Sequence, residues 1–555
     1  MIGGKLFVRF LLTAILLWAA LLRLWRCETA PAGLYVDEAS NAWNARCLLK
    51  TGRDESGTSW PIFYTRAFDD FRSPLYLYLI LPFQAIGGMN VCTTRLPAAL
   101  SGVVTVALMF YIGRRLFDDI VGLCAAAMVA ISPWHLQHTR WGHEGSLMPL
   151  LVALPIAALL WAGIPPLDAT SSHPRRWKVL AAGIVVGMAF YGYAAIRMYL
   201  PIALIAAGLV LIPQWRVFLR QRASRQMAML FLVGLGILVA PLIWKHLTDP
   251  YINLRALELR PWATGDGVLE RIFKIADRYP AHFSIPLLFE SGDPNPALAS
   301  PAGFGCLNWF MLPLLLIGMG TLAARALTSL PARLLLVLLV TYPAGDLLFG
   351  TASDPHVLRS FPGILWLSLT AAFGASVLVR WAAQYARSAA LAAAAVLLVW
   401  GGWNHAQFLR AFFGPFNEDR NAIWVRNIDL QQACEWLKPR LDDLDAVFIS
   451  EEGLTFPYAP TLVFVNHDPH QWFSQPREYA PGRPPFQNRQ ICDRFGKIRF
   501  IRDVEQTRTA IQTLKSHRIA MILRPDQAQL AGDHAKVGEI QIAGQTRFVL
   551  YEFAP

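Results

Sequence analysis

The residues best suited to chemistry are an adjacent acidic pair, Asp37 and Glu38, in GLYVDEASNAWNARCLLKTGRDE. They follow an apolar run at 6–25 that is long enough to cross a bilayer. A carboxylate just beyond such a run sits where lipid meets water, and low-dielectric surroundings raise its affinity for a proton. That suits a general base taking a proton from a hydroxyl. The same pair also fits the first turn of a helix, where free N–H groups favour Asp and Glu. Spacing alone leaves both readings open.

Three other clusters carry charge near expected membrane boundaries. In WHLQHTRWGHEGS, His135, His138, His143 and Glu144 offer donor atoms for zinc, but their spacing matches no compact zinc signature. The alternative is a charged pocket, with Arg140 on an anion and Glu144 facing the first loop. In FDDFRSPLYLYLILPF, Asp69, Asp70 and Arg72 precede a short aromatic apolar stretch that suits a helix lying along the interface; a solvated turn is the plain alternative. In SDPHVLRSFPG, His356 and Arg359 stand at the mouth of an apolar run, placed to hold a lipid phosphate or to snorkel towards headgroups. Tyr191, Tyr193 and Arg197 in YGYAAIRMY read the same way, so that Asp70, His143, Tyr193 and Arg197 are candidates for a substrate pocket.

The elements that must hold these residues follow from composition. Of 555 residues, 55% are hydrophobic and 16% charged, with 50 Lys and Arg against 38 Asp and Glu, a net +12. Mean hydropathy is +0.37. A soluble chain devotes about a quarter of its residues to charge, so the membrane is the first expectation. We expect about eleven spans, near 6–25, 96–113, 120–137, 146–163, 178–195, 196–212, 227–244, 303–323, 331–349, 360–380 and 388–404. The first has Lys5 and Arg9 before it and no small-residue cleavage site after it, so it reads as a retained anchor.

Alternate threading gathers Arg114, Arg115, Arg175, Arg176, Lys178, Arg216, Arg220, Arg222, Arg225, Arg325, Arg333, Arg380 and Arg387 on one side. By the positive-inside rule that side is the cytoplasm. The N-terminus is then cytoplasmic, while loops 27–95 and 245–302 and everything after 404 are extracytoplasmic. Topology explains the surplus of positive charge, and no interleaving of aromatic and basic residues suggests nucleic acid.

After Trp403 the pattern changes. DAVFIS (445–450), TLVFV (461–465), KIRFI (497–501), RIAMIL (518–523) and TRFVLYEF (546–553) read as strands, 428–440 and 504–516 as helices, and QPREYAPGRPPF as an irregular loop. The expected fold is therefore mainly α: a polytopic transmembrane helical bundle over 1–404, followed by a small extracytoplasmic α/β domain over 405–555. Of seven cysteines, Cys434 and Cys492 are the pair to test for a disulfide. There is no P-loop or CxxC motif, and the DLD triplet at Asp443–Asp445 reads as a turn beside a strand.

GLYVDEASNAWNA, FRSPLYLYL, TRLPAALSGVVTVALMFYIGRRLFDD, AISPWHLQHTRWGHEGSL, YGYAAIRMYLP and SDPHVLRSFPG, in this order, resemble the GT-C glycosyltransferases of the protein O-mannosyltransferase and aminoarabinose transferase (ArnT-like) family. FPYAPTLVFVNHDPHQW is similar to soluble domains attached to bacterial members. The resemblance implies an inner-membrane enzyme that transfers a monosaccharide from a polyprenyl-phosphate donor to an acceptor (a protein, lipid A or glycan) on the extracytoplasmic side, with inversion. It puts the family's catalytic acids on Asp37, with Glu38 beside it, and on Glu144. It makes Arg72, Arg140, His356 and Arg359 the donor-phosphate contacts. The family's basic residue before the interfacial proline is Ser73 here, with Arg72 one position earlier. The resemblance implies no certain cofactor and leaves a divalent ion near the acids open. Two alternatives differ in class. A lipid-linked polysaccharide polymerase or ligase would use an arginine-rich central loop, and Arg255, Arg260, Arg271 and Arg278 lie in 245–302. A transporter of lipid-linked sugars would place ionisable groups near the bilayer midplane.

Overall fold

The computed structural model describes residues 2–164, 175–263, 265–295, 298–349, 354–418, 425–483, 486, 488–514, 517–532 and 534–553. Residues 350–353 of the short external loop, 484 and 485 of the expected irregular loop, and the side chain of Arg255 lie outside the described set. The chain forms two compact units, one of residues 1–25 and 97–411 and one of residues 26–96 and 412–555.

The first unit is helical. Among the described residues seven helices are long and apolar enough to cross a membrane: Gly4–Leu24, Val91–Leu116, Glu144–Ala162, Arg222–Thr248, Leu330–Leu347, Gly363–Ala383 and Arg387–Asn417. Ala194–Val210 and Ile212–Phe218, bent by 72°, make an eighth if they are one span. The remaining expected spans are shorter helices. Residues 120–137 divide into Asp119–Ile131 and Pro133–His138, because Pro133 cannot continue the helix and Ser132 caps the next one. Residues 178–195 give Arg176–Ala189, and 303–323 give Met311–Arg325. Met311–Arg325 packs on Gly363–Ala383 at a glycine crossing: a Cβ on Gly318 would overlap the Thr370 carbonyl, and one on Gly374 the Leu314 carbonyl. Small residues that let backbones approach are the usual means of packing helices where water supplies no hydrophobic drive.

The second unit joins the first loop to the C-terminal region. The loop contributes the helix Val36–Thr51, the hairpin of β1 (Thr65–Ala67) and β2 (Asp70–Arg72), and the helix Leu75–Gly87. At thirteen residues the last is too short to span, as expected of an interfacial helix. The C-terminal part adds β3 (Ala446–Ser450), β4 (Arg477–Pro481), β5 (Gln490–Phe495), β6 (Ile498–Ile501), β7 (Ile519–Leu523), β8 (Ala535–Ile542) and β9 (Gln545–Phe553). They form one sheet of order β4-β5-β6-β3-β7-β9-β8, with β3 parallel to β6 and β7 and the outer pairs antiparallel. Trp43, Cys47 and Phe68 of the loop share one buried core with Leu430, Tyr458, Trp472, Phe495 and Phe500. The first loop, grouped by sequence with the membrane part, thus shares its core with the C-terminal sheet.

Two local expectations are corrected. Residues 461–464 are not a strand but the end of the helix Tyr458–Phe464, with Val465 as its C-cap; a short, largely buried apolar run carries no period that separates strand from helix. Arg477–Pro481, expected to be irregular, is the edge strand β4, the position at which a sheet tolerates Pro481. Cys434 and Cys492 are buried in the same core as separate free thiols.

Candidate active site

Tyr35 precedes the helix Val36–Thr51, and its N–H donates to Glu38 Oε2 at 3.1 Å, so Glu38 does cap the helix. Its carboxylate also takes two bonds from Arg95, Nε to Oε1 at 2.8 Å and Nη2 to Oε2 at 3.0 Å, with both side chains fully buried. Arg95 Nη1 and Nη2 donate in turn to the carbonyls of Cys27, Pro31 and Gly33. Glu38 is therefore built into the frame of the loop, and sequence reasoning missed its partner. Asp37, one residue earlier, points elsewhere: Arg72 Nη2 donates to Asp37 Oδ1 at 2.6 Å, and the two side chains retain 13% and 16% of their exposure. Asp37 is thus the acid of the pair that keeps contact with solvent.

The hairpin brings Arg72 there. Its two-residue turn, Phe68 and Asp69, has both φ values positive, at 56° and 55°, the signature of a tight turn that matches strand twist. The register pairs Thr65 with Arg72. Thr65 Oγ1 donates to Asp54 Oδ2 at 2.9 Å, which ties the root of the hairpin to the preceding loop. Arg72 also lies 5.1 Å over the Phe68 ring, a cation–π contact. Asp70 turns away to Arg489 at 3.2 Å, and its Oδ1 accepts from Phe71 N–H at 2.9 Å.

Glu55, which sequence reasoning did not single out, is buried in the same unit. Its Oε1 accepts from Tyr458 Oη at 2.9 Å and its Oε2 from Asn44 Nδ2 at 3.2 Å. Burial outweighs these bonds and pushes the carboxyl up to about 7.

In the first unit the other candidates separate. Arg140 donates to the carbonyls of Leu22 and Trp25, closing the C-terminal end of the first helix. This buried residue is occupied by backbone, contrary to the phosphate contact expected of it. The three histidines go to different partners: His135 Nδ1 to Arg23 at 2.7 Å, His138 edge-on to Trp141 and Phe361, and His143 Nδ1 accepting from Gly145 N–H at 2.8 Å. Glu144 is buried, 3.7 Å from His143 Nε2, and Tyr193 meets the His143 ring at 5.6 Å. Arg197 donates to the Phe190 carbonyl at 3.0 Å and lies 3.3 Å from His246. Among the described residues no three His, Cys, Asp or Glu side chains converge as a divalent ion would require, so no step is assigned to a metal.

His356 and Arg359 belong to a buried charge cluster around Asp346. Asp346 Oδ2 accepts from His282 Nε2 at 3.1 Å and from His356 N–H at 3.0 Å; Arg278 lies 3.7 Å from Oδ2 and Arg359 3.6 Å from Oδ1. Asp293 grips the same loop by accepting from Val357 N–H at 2.9 Å, and burial raises its carboxyl to about 6. The signal missed in the sequence is that Asp346 is the one acid within the run 331–349; an acid inside an apolar segment is costly unless it has partners.

Residues 71–244 match the family described as dolichyl-phosphate-mannose-protein mannosyltransferase. The fold is similar to ArnT from Cupriavidus metallidurans bound to undecaprenyl phosphate, with a TM-score of 0.53 at 12% identity over 98% of this chain and 97% of that one. The apo form of that protein gives 0.56 at 14% over 99% and 98%. The Archaeoglobus fulgidus oligosaccharyltransferase tethered with an acceptor peptide gives 0.51 at 13% over 83% of this chain and 63% of that one. Among curated proteins none matches the sequence. At these identities the likeness shows the fold. The family match covers residues 71–244, and the structural likeness adds a fold shared with ArnT and the archaeal oligosaccharyltransferase.

Proposed function

We propose that this chain transfers a monosaccharide from a polyprenyl-phosphate donor to an acceptor on the extracytoplasmic side of a bacterial inner membrane, with Asp37 as general base. The observation that carries the reading is the Asp37–Arg72 pair, a partly exposed carboxylate held in one orientation while its neighbour Glu38 is locked to Arg95. Support for the donor class comes from the family description and from the undecaprenyl phosphate bound by the structurally similar ArnT.

In this reading Asp37 takes the proton of the acceptor hydroxyl as its oxygen forms a bond to the anomeric carbon. The bond from that carbon to the donor phosphate oxygen breaks, and the electron pair leaves with polyprenyl phosphate. One Arg72 N–H fixes the carboxylate, and its guanidinium adds positive charge for the phosphate to meet as it departs. Arg359, held by Asp346 and stacked 5.6 Å from Phe349, and Arg278 give the first unit a fixed cationic site suited to a lipid phosphate. Glu144 and His143 supply a second polar site there.

The test is transfer of labelled sugar from a panel of polyprenyl-phosphate monosaccharides by membranes carrying the protein, with mass spectrometry of the product. Asp37→Asn should lower transfer by about 100-fold or more, the weight of a general base, with the melting temperature unchanged. Full activity in that variant would remove Asp37 as the base.

A further inference from the structure

The second unit contains a cleft of about 440 Å3 that the transfer step does not use. Its walls include Arg66, Phe68, Trp472, Arg477, Tyr479 and Gln490, and Glu55 and Tyr458 also line it. Arg66 is paired with Asp69, whose other oxygen accepts from Gln490 N–H at 3.0 Å. Arg477 has no carboxylate partner among the described residues; its guanidinium lies 4.9 Å over Trp472 and 5.9 Å over Phe473. A guanidinium packed over aromatic rings and paired with no carboxylate, although Glu55 and Asp69 line the same cleft, is placed to take an anionic group from outside. Tyr479, two residues along β4 and so on the same face, is 51% exposed. It sits where the β4–β5 register shifts between Glu478 and Tyr479, opposite Cys492, and bulges at sheet edges commonly re-aim side chains at sites.

The lining mixes flat aromatic surface with phenol, carboxamide and guanidinium groups, the Ser56 hydroxyl and two carboxyls, of which Asp69 is paired with Arg66 and Glu55 is hydrogen-bonded to Tyr458. That combination matches a sugar ring, which shows C–H faces and hydroxyl edges together, better than a hydrocarbon chain. The hairpin of β1 and β2 ties the cleft to the candidate base. Its turn residues Phe68 and Asp69 line the cleft, while Arg72 at its root holds Asp37. Asp70 and Phe71 separate Asp69 from Arg72, so the two lie three residue steps apart, at most about 10 Å at about 3.3 Å per step.

We propose that this cleft is an acceptor subsite that takes a saccharide unit bearing an anionic group, a phosphate or a carboxylate, and so presents a neighbouring hydroxyl of the same molecule towards Asp37. The acceptor role rests on the transferase reading; the binding does not.

Saturation-transfer NMR of the full-length protein in detergent tests it, with glucose 1-phosphate, glucuronate, glucose and inorganic phosphate as probes. At least one of the two anionic sugars should bind about tenfold more tightly than glucose and than inorganic phosphate, about the weight of one charge-assisted hydrogen bond. The ratio between the two names the anion. Arg477→Gln and, separately, the exposed Tyr479→Ala should each weaken that binding at least about fivefold. Equal binding of phosphate and glucose 1-phosphate, unchanged binding in both variants, or binding of an acidic peptide with none of the sugars would overturn the proposal. Asp37→Asn should bind the anionic sugar as the wild type does. Retained transfer in that variant would overturn the base and leave the subsite standing, and lost sugar binding in the wild type would do the reverse.

Discussion

Neighbouring acids in this protein have opposite fates, and burial decides them. Glu38 meets Arg95 with both groups out of water. Such a pair adds little net stability, but removing one partner strands the other charge, at a cost of about 3–5 kcal/mol. Glu38→Ala should therefore lower the melting temperature sharply, and any loss of transfer should track the loss of folded protein. Asp37→Asn should do the reverse, losing transfer with the fold intact, so measuring both quantities for both variants separates scaffold from chemistry. Glu55 is a third case. Unfolded, its carboxyl releases its proton near 4.5; folded, burial delays release to about 7. The folded state binds the proton more tightly, so the contribution of this one group to stability is greatest below about 4.5, falls as pH rises through that window and is lower by about 3 kcal/mol above about 7. Glu55→Gln, which keeps the size of the side chain and cannot ionise, should flatten the dependence of the melting temperature between pH 5 and 8 and be the more stable protein at pH 8.

At the scale of elements, the hairpin of β1 and β2 links most of what is distinctive in the second unit. The sequence FDDFRSP showed that Asp69, Asp70 and Arg72 lie together ahead of a short apolar helix, and the helix Leu75–Gly87 is there. It did not show that Phe68 and Asp69 would both take positive φ, because neither is the Gly or Asn that announces such a turn. Left-handed backbone at non-glycine residues is held by its surroundings: Phe68 stacks 4.7 Å on Phe456, and its N–H donates to Tyr458 Oη at 3.4 Å. Asp69→Pro cannot reach positive φ. It should displace Arg72 and lower transfer several-fold, whereas Asp69→Asn, which tolerates that conformation, should keep most of it; the transfer rates of the two variants test whether the turn geometry matters. The missed strand β4 has the same kind of cause. Its pattern is broken by Pro481 and its pairing by a register shift, both allowed at a sheet edge and neither visible as alternation.

At the scale of the whole molecule, composition identified the membrane character and most long helices, because a bilayer leaves few alternatives for twenty apolar residues. Charge pairs between distant segments were not legible: Glu38 with Arg95, Asp70 with Arg489 and Asp346 with His282 are separated by tens to hundreds of residues, and one sequence carries no trace of such pairing. Orientation stands between these extremes, since it rests on charge asymmetry alone. Arg216, Arg220, Arg222 and Arg225 flank the start of the helix Arg222–Thr248, and the positive-inside rule predicts that this end faces the cytoplasm. The same rule predicts that the loop after that helix and the sheet containing β4 face outward. Cys92 and Cys124 are the two native thiols that are not buried. With both replaced by alanine, single cysteines at Gly265, Ala480 and Arg222 report the orientation in intact cells made permeable only at the outer membrane. A membrane-impermeant maleimide should label Gly265→Cys and Ala480→Cys and leave Arg222→Cys unlabelled until the inner membrane is opened. Labelling of Arg222→Cys in intact cells would reverse the topology and move the Asp37–Arg72 pair to the cytoplasmic face, where a donor presented outside the cell could not meet it.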